Sequence, residues 1–391
     1  MKKFKILDYY ILIPYIVLSL VGIVMVYSAS ANVAISNGST PNGYLIKQTA
    51  YVIIGLFLAA FFYWLRLSVL RRRSYVEIAT FVMLGLVLIV LVIGARINGA
   101  KGWINLGPVN IQPEEFLKLY IVLFLAHYMD SHQVSLEERY WHTMRAPLIL
   151  FAVMIGLVLM QPDTGGAAID WFIILIMMLS SGNKHNVPTE IVGVLFIGYL
   201  AMLGFLSHTN LNSPMWTKHY QLQRFVAFID PFGTIKTVGR QLVNSYYAIS
   251  NGGLFGRGLG NSIQKMGYLP EPNTDFILAV TSEELGVIAV LIILALLGTI
   301  AGRAIQIGKR ASTMYESLVC YGIAALITVQ SLFNVGGVVG ALPITGVTLP
   351  FISYGGSSML VLSMSMGILL NISAREKRAQ IAERAERATV K

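Results

Sequence analysis

The chain has 391 residues, 55% of them hydrophobic and 12% charged, with a mean hydropathy of +0.68. A soluble domain carries roughly 25% charged residues, so this composition excludes an ordinary soluble enzyme and points to lipid as the solvent. The formal charge of +10 would suit nucleic acid, but its distribution follows membrane topology, and no nucleic-acid partner is expected.

A membrane span needs about 20 mostly apolar residues. Candidate spans fall at about 8–29, 45–65, 75–95, 115–130, 146–161, 165–181, 188–207, 276–302, 314–338 and 350–372. The expected fold class is therefore an all-α polytopic membrane protein with about ten transmembrane helices, one integral domain over 1–391. A long polar loop, about 208–275, joins the seventh and eighth spans, and a basic tail occupies about 373–391. Met1–Lys5 is basic, but the apolar run after it is long and lacks a small-residue cleavage site, so it reads as a retained helix. The single cysteine, Cys320, leaves no intramolecular disulfide.

Charge tests the count. With the N-terminus inside, nineteen of the 29 Lys and Arg fall on the inner side, including Lys2, Arg71, Arg145, Lys184, Arg303 and the tail from Arg375 to Lys391. Short outer loops hold almost none, and the loop 208–275 is too long for the positive-inside rule to govern. Ten spans with both termini cytoplasmic satisfy the rule, and an odd number does not. The tail reads as a topology anchor, either continuing the last helix or lying on the surface.

Polar residues beside spans are costly and mark function. Three outer clusters stand out in chain order. The first runs from Arg96 to Lys118 (RINGAKGWINLGPVNIQPEEFLK), where glycines and Pro108 demand a structured loop. Trp103 suits the interface, Pro113 suits a first helical turn, and Glu115 and Lys118, three apart, can pair. That pair is either a structural lock or a means of holding an anionic ligand. The second cluster is Gln161–Gly165 (QPDTG), in which Asp163 either caps the next helix or faces a ligand. Asp170, a turn or two deeper, receives no role.

The third cluster is the long loop, with Gln221, Arg224, Asp230, Arg240, Gln241, Arg257, Lys265, Glu271 and Asp275. Its stretch Gly252–Gly260 (GGLFGRGLG) lacks the strand, lysine and Ser/Thr of a nucleotide-binding loop, and instead permits close backbone approach to a membrane surface or ligand. Asp275 opens the eighth span, as a helix cap or as a chemical group. Glu283 and Glu284 lie about two turns inside it.

These segments together resemble the SEDS family (shape, elongation, division and sporulation), which includes FtsW and RodA. The matching text is Val26–Ser30 (VYSAS), Gly99–Lys118, Gln161–Asp163, Gly239–Gly286 with LPE at Leu269–Glu271 and TDF at Thr274–Phe276, and Leu349–Ser358 (LPFISYGGSS). Leu269–Asp275 and the lack of an additional domain look most like FtsW of Gram-positive bacteria. Two departures are Pro272-Asn273 where many members have Ala-His, and Thr345-Gly346 where proteobacterial members have Lys-Gly.

The resemblance implies a peptidoglycan glycosyltransferase that polymerises lipid II at the outer face of the bacterial cytoplasmic membrane. The donor is a glycan on undecaprenyl pyrophosphate. Asp275 is then the catalytic base. Arg96, Lys101, Trp103, Glu115, Lys118, Asp163, Gln221, Arg224, Arg240, Gln241, Arg257, Glu271, Thr274, Ser353 and Ser357 are the substrate-binding candidates. No residue is assigned to a metal; the one cofactor candidate is a divalent cation, Mg2+ or Mn2+. The implied partners are a class B penicillin-binding protein and other membrane proteins of the division or elongation machinery. A lipid II flippase and a non-catalytic scaffold are the alternative readings.

Overall fold

The computed structural model describes residues 6–36, 38, 40, 42–97, 100–107, 110–181, 187–208 and 220–389. Ten long helices occupy the ten expected spans: α1 (Tyr9–Ser36), α2 (Asn42–Trp64), α4 (Arg73–Ile93), α5 (Pro113–Ser131), α6 (Gln133–Met160), α7 (Thr164–Leu179), α8 (Val187–His208), α11 (Ile277–Gly308), α12 (Met314–Val338) and α13 (Gly356–Thr389). The short α3 (Leu67–Leu70), α9 (Tyr220–Ile229) and α10 (Arg240–Gly252) complete the helices of the described residues. Among the described residues, seven helices qualify as spans by length and composition alone. Of the other three, α7 has 16 residues, and α5 carries Glu114, Glu115, Lys118 and Asp130. Phe57, Phe81 and Val92 stand exposed on the outside, an arrangement that is costly in water and ordinary in lipid.

Two expectations are refined. The segment 208–275 is more than a polar loop, because α9 and α10 lie within it; both pair an apolar face with a polar one. The Arg96–Lys118 segment folds into a small antiparallel sheet, β1 (Ala95–Ile97), β2 (Ala100–Asn105) and β3 (Asn110–Ile111), in the order β1-β2-β3. The tail continues α13 as a helix to Thr389.

Ion pairs mark one end of the bundle. Asp8 meets Arg303 at 2.9 Å, Arg71 meets Asp130 at 2.6 Å, and Arg375 meets Glu316 at 2.6 Å. A helix rises about 1.5 Å per residue. Ser28, twenty residues along α1 from Asp8, and Asn334, eighteen along α12 from Glu316, therefore stand about 27–30 Å away, the thickness of a hydrocarbon core. Ser28 and Asn334 thus mark the opposite boundary. The chain is a multi-pass membrane protein with its basic ion pairs at one face and its polar loops at the other.

α11 breaks at Gly286, whose φ is 81° and ψ 170°. A break frees backbone groups that lipid cannot satisfy. The glycine-rich segment of the long loop satisfies them: Arg257 N and Gly258 N each donate at 2.9 Å to the carbonyls of Glu283 and Glu284, and Val287 N donates at 3.0 Å to Gly253 O. A Cβ on Gly252 or Gly256 would collide with the backbone of α11, so the glycines serve close approach to a neighbouring helix, where the sequence led to an expectation of a membrane surface or ligand. Side chains bolt the same joint. Lys265 Nζ meets Glu284 at 2.6 Å and Ser28 Oγ at 2.9 Å, while Ser262 and Asn251 donate to Glu283.

Candidate functional site

Asp275 stands at the polar-loop boundary, two residues before α11. The N-cap position of that helix is Phe276, so the carboxyl is not a cap. Three clamps hold the backbone around it. Asn334 Nδ2 on α12 donates to Asp275 O and to Val347 O, both at 2.8 Å. Ser353 Oγ donates to Thr274 O at 2.7 Å, and Tyr354 N donates to Asn273 O at 2.8 Å. The LPFISYGGSS segment thus positions the carboxylate from the opposite side of the chain.

The crevice at Asp275 is lined by Phe333, Asn334, Ile344, Thr345 and Gly346. A Cβ on Gly346, whose φ is +79°, would lie 3.0 Å from the Arg224 guanidinium and 3.4 Å from Asp275 Oδ2. Glycine there serves both a left-handed backbone and the space in which acid and cation approach one another. Arg224 is held by donating from Nη1 to Thr345 O at 2.8 Å. Glu271, left-handed at φ 52°, accepts from Thr274 Oγ1 at 2.8 Å. Burial foremost, and then the negative charge of Glu271, push the Asp275 carboxyl up to about 7; Arg224 opposes and Asp163 adds slightly.

A second polar group lies one to two turns into the bundle. Lys118 is fully buried and meets Glu115 at 3.0 Å and Glu114 at 3.3 Å. The expected pair is present, and Glu114, which the sequence reading passed over, shares the same ammonium. Its signal was available: two acids in the turn after Pro113. Asp170 is also buried, attracts Lys118, and has no hydrogen-bond partner on either oxygen among the described residues. Glu114 rests on Gly166 of α7, where any Cβ would strike it.

Asp163 joins the two groups. It caps α7 through Gly166 N at 2.9 Å and accepts from Gln112 Nε2 at 3.0 Å, and Gln112 N donates to Ser357 Oγ at 2.9 Å. Ser353 and Ser357 therefore act on backbone groups in this structure.

Other candidates lie elsewhere. Lys101 Nζ donates to Leu91 O and Val92 O at the end of α4, Arg240 donates to Gly267 O, and Gln241 reaches Pro270 O at 3.5 Å. These three brace the loops around the site. Arg257 is exposed on the glycine-rich segment, and Trp103 is half-buried in β2 opposite Ala95. Arg96 lies in β1 and Gln221 in α9, but their side chains fall outside the described residues. Among the described residues no group of three His, Cys, Asp or Glu side chains is placed to hold a metal ion.

The family model described as "Cell cycle protein", covering FtsW, RodA and SpoVE, matches residues 9–378. The chain is 37% identical to the probable peptidoglycan glycosyltransferase FtsW of Lactococcus lactis, covering 98% of this chain and 96% of that one. It is 39% identical to the protein of the same name from Bacillus subtilis, over 95% and 92%, and 34% identical to stage V sporulation protein E of B. subtilis, over 94% and 96%. Among solved structures, a chain from a study of polymerization and crosslinking by a peptidoglycan synthase complex superposes with a TM-score of 0.73 at 26% identity, over 95% and 98%. The rod shape determining protein RodA of Thermus thermophilus does so at 0.67 and 25%, over 95% and 97%. With an ordered match along nearly the whole chain and the same helical scaffold, the protein belongs to the FtsW, RodA and SpoVE family of cell cycle proteins.

Proposed function

We propose that this protein is a peptidoglycan glycosyltransferase that polymerises lipid II, with Asp275 as its general base. The observation that carries the reading is the half-buried Asp275 carboxyl at the membrane boundary, clamped through its backbone and set across Gly346 from the Arg224 cation. The acceptor's 4-hydroxyl attacks the donor's anomeric carbon as the bond to undecaprenyl pyrophosphate breaks. The hydroxyl proton passes to Asp275, and the pyrophosphate departs with its charge balanced by cations. Arg224 is placed for that second task. Lys118 lies deeper and sets the field of the cavity, while Lys101 and Arg240 brace loops. Because the site stands at the lipid boundary, prenyl chains remain in the hydrocarbon while headgroups react above it. Among the described residues no three acids are placed to hold a divalent cation such as Mg2+ or Mn2+, and no step is routed through one. The similarity to FtsW relatives favours the division branch. A class B penicillin-binding protein is the proposed partner, joined by other membrane proteins of the division or elongation machinery.

Purified protein with labelled lipid II, alone and with a class B penicillin-binding protein, tests this reading by its glycan product. Turnover is expected to rise about tenfold per pH unit below pH 6 and to level off above about pH 8, as the Asp275 carboxyl ionises through about 7. A flat profile from pH 5 to 8 would remove the raised carboxyl of Asp275 as the group whose ionisation limits turnover. Transport of lipid II without glycan product would favour a flippase.

We also place both termini in the cytoplasm, on the basic bias of the inner loops. Cysteines at Asn212 and Lys391, both outside the described residues, are expected to react with an impermeant thiol reagent from opposite sides of the membrane. Cys320 is buried and adds no background. Labelling of both positions from outside would overturn the orientation.

A further inference from the structure

A cavity of about 420 Å³ opens at the basic end of the bundle, far from Asp275, between the end of α2, the short α3 and α13. Tyr63, Trp64, Arg66, Asn371, Arg375 and Arg378 line it, and among the described residues no acidic one does. Arg66 and Arg378 are exposed and have no ion-pair partner among the described residues. Arg375 engages Glu316 through Nη1 at 2.6 Å while its side chain stays 52% exposed. The carbonyls ending α2 would repel an anion, but Asn371 Nδ2 covers Phe62 O at 2.9 Å and Leu65 O at 2.6 Å. The cavity therefore presents guanidinium groups with those oxygens masked.

Its height in the membrane fixes the kind of anion. The Arg375–Glu316 pair belongs to the plane of ion pairs that marks this face of the bilayer. Trp64, 64% exposed, ends α2 at the same face, where an amphipathic ring suits the headgroup layer. A pocket at that level, lined by three arginines, meets lipid phosphates first. We propose that this cavity binds the phosphodiester headgroup of an anionic membrane phospholipid, with Arg66 and Arg378 on the phosphate oxygens and the glyceride backbone against Trp64. Guanidinium forks match phosphate oxygens in geometry and charge. An excess of cation favours a headgroup without its own ammonium.

The test uses the full chain in neutral detergent with phosphatidylglycerol, phosphatidylcholine or inorganic phosphate, read by native mass spectrometry and by thermal unfolding. The wild type is expected to retain phosphatidylglycerol and gain thermal stability from it, and to do neither with phosphatidylcholine or inorganic phosphate. Each cation at such a surface strengthens binding roughly fivefold, so Arg66→Ala with Arg378→Ala is expected to weaken retention about 30-fold. Both residues are exposed, so the variant folds. Lys309→Ala with Arg310→Ala removes as much charge from the exposed end of α11 and is expected to change nothing. Undiminished retention in the Arg66/Arg378 variant, equal loss in the Lys309/Arg310 variant, or equal effects of the two lipids would overturn the proposal. Displacement of the lipid by an equal concentration of inorganic phosphate would overturn its lipid part and leave a soluble-anion site.

Discussion

Asp275→Asn is expected to lower glycan synthesis from lipid II by about 10²–10⁴-fold, the usual worth of a general base, while the protein inserts and folds normally. The substitution keeps the size of the side chain. The three clamps around position 275 act on backbone groups, namely Asn334 on Asp275 O, Ser353 on Thr274 O and Tyr354 on Asn273 O, so none of them is lost. Stability supplies the second readout. A carboxyl whose folded value is raised binds protons more tightly in the folded state. The stability it contributes is present below its ordinary range near 4 and is lost as pH rises through about 7. The asparagine variant lacks that loss and is expected to be at least as stable as the wild type at pH 8, with a flatter dependence of unfolding temperature on pH. Near-normal polymerisation by a folded Asp275→Asn protein would remove Asp275 as the general base and leave the polymerase reading to another group. A variant that is inactive because it unfolds would contradict the clamp geometry.

Lys118→Met is expected to cost about 3–5 kcal/mol of stability, the range for breaking a buried ion pair from one side. The ammonium is the shared partner of Glu114 and Glu115 and attracts Asp170, so its removal leaves three buried carboxyl groups without a cation. The three-residue spacing of Glu115 and Lys118, taken alone, suggests that exchanging the two recovers more folding or activity than either single Ala change. The structure changes that expectation, because Lys118 is the centre of the group and position 115 is at its edge. Neutralising the partners is the better rescue: Lys118→Met combined with Glu114→Gln and Glu115→Gln is expected to recover more than half of the lost stability in detergent. Recovery of stability without glycan synthesis would show that the cation also serves the substrate cavity. A single Lys118→Met protein as stable as the wild type would remove the shared-partner description.

The sequence by itself determined the membrane class, the ten spans and the basic end, because these depend on the length of apolar runs and on where Lys and Arg interrupt them. It also marked Asp275, the Glu115–Lys118 pair and Asp163, because a charge beside an apolar run is conspicuous wherever the chain goes next. The function of the glycines from Gly252 to Gly260 was legible as close approach, but not the surface approached, which is the broken turn of α11 at Gly286. Tertiary structure alone decided which of the many loop cations shares the crevice of the acid. Arg224 reaches the crevice of Asp275 and Gly346, whereas Lys101 and Arg240 are drawn to carbonyl oxygens of their own surroundings. It also decided that Lys265 is buried against Glu284 and Ser28, a contact spanning 237 positions of chain between Ser28 and Lys265. The division has a physical reason: burying an apolar run in lipid is a property of the run, whereas a cation in an irregular loop pairs with whichever carbonyl or carboxylate the packing of distant helices brings within 3 Å or so.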